Sequence, residues 1–130
     1  MTVLDEISRS RYVSLVTYRR DGTAVATPVW HVVHDGELYV VSEADAWKVK
    51  RVRRDSRAEV TVCDLRGRIT PGAPHATGTA RLLDPAGTAD ARRLLARRYL
   101  TSRLGNWFAR LLRIKRPPMI AIAVTFAAGT

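Results

Sequence analysis

The sequence predicts an α+β fold that is mainly β, a six-stranded antiparallel β-barrel with flanking helices. Three observations carry this expectation. Segments in which apolar and polar residues alternate recur along the chain, and the first three are joined by two short Asp-Gly turns. Two other segments lose that alternation and space their apolar residues three and four apart, as one face of a helix requires. Six strands left open would expose two hydrogen-bonding edges, and closure into a barrel removes them.

Leu4 and Ile7, three apart, mark a short N-terminal helix that ends by Ser10. From Tyr12 to Tyr18 the β-branched and aromatic residues predict a first strand. Asp21-Gly22 supplies the positive φ angles of a tight hairpin turn, and Ala24 to His34 forms a second strand. Pro28 lies inside that strand; lacking an N–H, it places the strand at a sheet edge or at a bulge. Asp35-Gly36 is a second turn of the same chemistry, leading into a third strand, Glu37 to Ser42.

Ala44 to Arg54 reads as a helix whose Val49 and Val52 face a core, with Lys48 and Arg51 together on a neighbouring face. Ala58 to Leu65 alternates again as a fourth strand. Gly67 to Pro74 contains two glycines and two prolines and is a loop. His75 to Leu83 is a fifth strand with Gly78 at a bend. Asp84-Pro85 opens a second long helix, the aspartate as cap and the proline in the first turn; Gly105 stops it. Asn106 to Arg116 is amphipathic or irregular, and Met119 to Phe126 is the last strand.

The length of 130 residues suits a single domain spanning 1–130, and 46% hydrophobic with 26% charged residues is a globular balance. The longest nearly apolar run, Met119 to Ala128, is about half of the ~20 residues a spanning helix needs. The N-terminal residues show no export signal, so the expectation is a cytoplasmic protein with no membrane span. Cys63 is the only cysteine, which excludes an intrachain disulfide and a cysteine-built zinc site. His31 and His34 fall on opposite faces of a strand, and no carboxylates stand at ligand spacing around them, so no metal site is expected. The net charge is +10, and 19 of the 22 basic residues are arginine. That excess favours anionic partners or simply keeps the chain in solution. The basic residues are scattered over several elements, without an RNA-recognition, zinc-finger or helix-turn-helix signature, so nucleic acid is not the expected partner.

No glycine-rich phosphate loop and no Gly-x-Ser-x-Gly elbow is present, and Cys63 at mid-strand reads as a small buried hydrophobe. Catalysis therefore rests on a bound organic cofactor, and no catalytic side chain is assigned. The best local candidate for such a site is Trp47-Lys48-Val49-Lys50-Arg51, at the start of a helix directly after a strand. A helix N-terminus and basic side chains there suit a phosphate; the same residues also read as a solvated basic helix face. Trp30, beside the strand proline, reads as a core or interface residue as well as a ring-stacking one.

The runs Tyr12-Val-Ser-Leu-Val-Thr, Asp21-Gly22, Thr27-Pro28-Val29-Trp30, Leu38-Tyr39-Val40-Val41-Ser42, Trp47-Lys48-Val49-Lys50-Arg51-Val52 and Ala58-Glu-Val-Thr-Val, in this order, resemble the pyridoxamine 5′-phosphate oxidase superfamily. The nearest resemblance is to the small actinobacterial oxidoreductases that use the deazaflavin coenzyme F420, and it covers Ile7 to Leu83. It implies a split β-barrel of the FMN-binding type and a homodimer with cofactor sites in the interface grooves. It also implies that Thr27, Pro28, Val29 and Trp30 lie against the ring system, and that Ser42, Trp47, Lys48 and Arg51, helped by Lys50, hold the phosphate end. Trp107 and Arg110 of the second protomer are candidates to close the groove, and Tyr99 or a histidine to donate a proton. The C-terminal arginine–histidine motif of the vitamin B6 oxidases is not recognisable, which argues against that substrate. The resulting expectation is an F420-dependent oxidoreductase that passes hydride to a small organic acceptor. The alternatives are an FMN-binding flavoprotein and a non-catalytic F420 carrier.

Overall fold

The computed structural model describes residues 2–100 and 118–126, without the side chains of 99 and 100. The order of elements is α1 (Val3–Arg9), β1 (Tyr12–Tyr18), β2 (Ala24–Val29), β3 (Val32–His34), β4 (Glu37–Glu43), α2 (Trp47–Arg54), β5 (Arg57–Cys63), β6 (His75–Leu82), α3 (Pro85–Leu100) and β7 (Met119–Phe126). All seven strands belong to one antiparallel sheet in the order β2-β1-β5-β6-β7-β4-β3. The expected number was six. The extra strand arises because Ala24 to His34 is broken at Trp30 and His31 into β2 and β3. Those two strands form opposite ends of the sheet order, so one bent stretch of chain joins both edges. A half-barrel that folds back on itself in this way is the geometry of a split barrel.

The two hairpin turns differ. Asp35 and Gly36 both take positive φ, 51° and 79°, and link His34 directly to Glu37 as a two-residue loop. In the first turn only Gly22 does, at 89°. Arg19 and Thr23 close a three-residue loop through Arg19 N–H to Thr23 O (2.9 Å), with Gly22 as the left-handed residue. Asp21 works through its side chain, accepting from Thr23 N–H at 2.9 Å. Pro28 lies in an unbroken register, opposite Ser14, and β2 is an edge strand. The proline is thus accommodated by the edge, and no bulge is needed.

One face of the sheet buries Val13, Leu15, Leu38, Val40, Val60, Ile122 and Val124 with Ile7 of α1 and Val49 and Val52 of α2. α1 is held by a reciprocal Thr2–Asp5 capping box and ends at Ser10. The cap expected for α3 is present: Asp84 accepts from Gly87 N–H at 2.7 Å, with Pro85 as first residue. α3 lies on the opposite face of the sheet, over β7, β4 and β3, where Leu95 packs against Trp30, Val32 and Val41. Ala121 and Ala123, both fully buried, let the helix approach closely, and Ala121 N–H donates to Thr88 Oγ1 at 3.1 Å. Gly78 is set by a similar closeness, since a Cβ there would meet the Thr125 carbonyl oxygen at 2.4 Å. The expectations for Tyr99, Gly105, Asn106 to Arg116, Trp107 and Arg110 fall outside the described residues or side chains.

Candidate cofactor site

β2 divides its residues between two faces. Val25, Thr27 and Val29 stand opposite Thr17, Leu15 and Val13, on the face that carries the core, while Ala24, Ala26 and Pro28 are exposed on the other. Being an edge strand, β2 also turns outward backbone groups that no strand of the described sheet pairs. On its exposed side, Pro28 meets the loop after β5. Gly67, at φ 82°, lies so that a Cβ would be 3.6 Å from the proline ring. That loop is knitted around Asp64, whose carboxylate accepts from Arg66 N–H (2.9 Å) and Arg68 N–H (2.8 Å).

The basic helix α2 packs against β1 and β6. Arg51 Nε donates to the fully buried Thr17 Oγ1 at 2.7 Å, and Arg54 donates to the Tyr18 carbonyl at 2.8 Å. Thr17 is the diagonal neighbour of Thr27 across the β1–β2 pair, a separation of about 7–8 Å. Arg51 is thereby fixed on the Thr27 side of the edge strand. Burial, and next the neighbouring Arg19 and Arg54, push its pKa down. Lys48 is half-buried; burial first and then Arg51 lower its pKa, with Glu43 opposing. Among the described residues, none of Arg19, Lys48, Arg51 and Arg54 forms an ion pair. The helix cap is Ala46, which has no capping side chain, and the first turn has no acidic residue. Lys48 in the first turn of α2, Arg51 and Arg54 in its last, and Arg19 thus line one cationic rim.

The expected site residues do not all converge. Lys48, Arg51 and Thr27 share the rim, and Arg19, Arg54 and Thr17 join them unanticipated. Their signal was the pair Arg19-Arg20 at the end of β1 and the second arginine one turn along α2, but only strand–helix packing links them. Trp47 is 71% exposed, and the Lys50 ammonium lies 4.5 Å from its ring centre, so these two stack on each other along the outside of α2. Ser42 is buried and donates to the Glu43 carbonyl at 3.2 Å. Trp30 packs its indole against Leu95 under α3, leaving its backbone beside the end of β2. Val29 belongs to the core.

The family model described as pyridoxamine 5′-phosphate oxidase matches residues 2–129, and the chain belongs to that family. No curated protein matches the sequence. Among solved structures, the conserved hypothetical protein Rv2991 from Mycobacterium tuberculosis is similar at TM-score 0.70 and 21% identity, covering 95% of this chain and 78% of its own. A protein named F420 reductase is similar at TM-score 0.64 and 19% identity, with 95% and 92% covered. A FAD-binding protein from Mesorhizobium loti is similar at TM-score 0.65 and 17% identity, with 95% and 84% covered. At these identities the likeness is one of fold. No helix among the described residues is long and apolar enough to cross a membrane.

Proposed function

We propose that this chain is an F420-dependent oxidoreductase of the small actinobacterial type, working in the cytoplasm as a homodimer of single split-barrel domains. The observation that carries the reading is the rim formed by Lys48 and Arg51 with Arg19 and Arg54, un-neutralised by any described acid, beside the edge strand Thr27–Val29. When bound, reduced F420 supplies a hydride for a small organic acceptor.

The chain's own residues bind and orient. Lys48, in the first turn of α2, and Arg51, in its last, hold the phosphate end through charge-assisted hydrogen bonds. Arg19 and Arg54 extend the same positive surface toward further carboxylates or phosphates on the ligand. The outward backbone of Thr27, Pro28 and Val29 meets the polar edge of the ring, and Ser42 and Trp47 border the phosphate end with Lys50 held over Trp47. The relative named F420 reductase supports the deazaflavin, and the FAD-binding relative supports a flavin as the second reading. The same cationic pair suits the FMN phosphate equally.

Titration of the purified protein with F420 and, separately, with FMN, followed by fluorescence anisotropy, separates these readings. Micromolar or tighter F420 binding with weak FMN binding is expected; the opposite preference makes the protein a flavoprotein. Tight F420 binding with no acceptor reduced makes it a carrier, and binding of neither cofactor refutes the proposal. Lys48→Ala combined with Arg51→Ala should weaken binding by about 2–4 kcal/mol, from two charge-assisted hydrogen bonds, with the fold retained and the melting temperature lowered by loss of the Arg51–Thr17 bond. Unchanged affinity removes the phosphate assignment.

A further inference from the structure

A cavity of about 450 Å³ lies between α3 and the sheet face that this helix covers, on the other side of the sheet from the β2–α2 rim. Strand register sets its floor. Tyr39 on β4 and Arg81 on β6 both stand opposite Ala123 on β7, so the three share one transverse row with an alanine at its centre. The flank of α3 above this row carries Gly87, Asp90, Leu94 and Arg97, spaced three, four and three, as one side of a helix requires. Leu83, in the link from β6 to α3, and His34, at the end of β3, line the cavity as well.

The charges around this cavity do not cancel. Arg81 donates to Glu37 at 2.7 Å and to Thr125 Oγ1 at 3.0 Å, Arg93 is paired with Asp90, and His34 faces Asp35 at 3.3 Å. Arg97 forms no ion pair among the described residues. Beside that one uncompensated cation stand apolar walls, from the Tyr39 ring, Leu83, Leu94 and the buried Ala91. Burial first and then Glu37 raise the Tyr39 pKa, with Arg81 opposing, so the phenol keeps its proton and remains a donor. A polyanion would meet Glu37 and Asp90, which already hold the other two guanidiniums, and a neutral apolar molecule would leave Arg97 without a partner. A planar ring has the Tyr39 face to stack on, and the volume is within the ~300–1,000 Å³ of small-molecule sites.

We propose that the cavity under α3 is a second ligand site, one that takes a small aromatic monocarboxylate. The carboxylate pairs with Arg97, and the ring lies between Tyr39 of the sheet and Leu94 of the helix. None of the lining residues belongs to the β2–α2 rim, so the site stands whether or not that rim holds a cofactor. Its two walls come from segments far apart in sequence, β4 and α3, and only the folded chain brings them together. A ligand held there therefore stabilises the fold by mass action.

The test titrates the full chain with sodium 2-naphthoate and, as the uncharged counterpart, 2-naphthamide, followed by calorimetry and by ¹H–¹⁵N spectra. Naphthoate should saturate one site per chain at sub-millimolar concentration and move the amide signals of Tyr39, Gly87, Ala91 and Leu94. Arg97→Gln should weaken naphthoate about tenfold, the worth of one charge-assisted hydrogen bond, and leave naphthamide unchanged. Arg66→Gln, which removes the same charge from the loop after β5, should change neither, and this separates a built site from attraction to a chain of net charge +10. Absence of saturable naphthoate binding overturns the proposal. Signals that move at Lys48 and Arg51 in place of α3 overturn it too, and wild type alone gives that reading even if a variant fails to fold. Equal loss of affinity in Arg97→Gln and Arg66→Gln would show binding to surface charge only, and would likewise overturn it.

Discussion

His31 is fully buried between α1 and the bend from β2 to β3, where its Nε2–H donates to the Ile7 carbonyl at 2.8 Å. Burial pushes its pKa down to about 4, with the Ile7 bond opposing and Arg98 adding to the depression. The sign of the pH dependence follows. Between about 6.5 and about 4 the unfolded chain binds a proton at this position that the folded chain does not. The contribution of neutral His31 is therefore complete above pH 6.5 and is lost as pH falls toward 4, to a total of about 3 kcal/mol. Urea unfolding of wild type and His31→Gln at pH 7.0 and pH 4.5 measures it: the difference between the two proteins should shrink markedly at the lower pH. Equal differences would show that His31 already carries its proton when folded. The residue was legible in sequence as one of three histidines, but the strand expected to carry both it and His34 breaks at His31, so alternation does not set its facing. Its burial was not legible, because the cover comes from Ile7, 24 positions away.

At the scale of an element, α2 trades helix stability for positive potential. Capping residues are common where a helix begins, yet Ala46 supplies no acceptor and no acid follows it in the first turn. The helix is retained by the burial of Val49 and Val52. Ala46→Asp should accept hydrogen bonds from the first-turn N–H groups and stabilise the protein by about 1 kcal/mol. The same carboxylate would neutralise the rim and lower F420 affinity several-fold. A thermal shift upward with unchanged affinity in an anisotropy titration would show that the phosphate lies elsewhere. The positions of α2 and its Lys48–Arg51 pair were readable from the change of periodicity after β4. The split of the expected group, with Lys50 and Trp47 on the outside and Arg51 turned in to Thr17, depends on which helix face the sheet accepts.

At the scale of the whole molecule, the sheet's outer face is covered unequally. α3 shields β7, β4 and β3, whereas Pro28, Thr61 and His75 on β2, β5 and β6 have no described helix over them. Leu65 and Ile69, 67% and 49% exposed, flank that half on the loop that meets Pro28. Such a half-face suits a second copy of the chain, which would also wall the cofactor groove. Light scattering after size exclusion at micromolar concentration should give about twice the chain mass, and Leu65→Asp with Ile69→Asp should shift it toward monomer. A wild-type monomer would contradict the homodimer and the interface groove together.

The sequence by itself determined the local elements. Alternation, Asp-Gly turns, the Asp84-Pro85 start and the three-apart valines of α2 each act within a few residues, so they placed the described helices and every described strand except the separate β3. It also determined the basic character of the rim, since charge is a property of composition. Only the tertiary structure decided that Ala24 to His34 is two strands, because the break at Trp30 and His31 is driven by packing against Leu95 and Ile7 from distant segments. It alone decided that Arg19, Arg51 and Arg54 share one rim and that Thr61, His75 and Glu59 meet across strands. Such meetings depend on register, and register is set by which faces are buried together, a condition that no local stretch of chain contains.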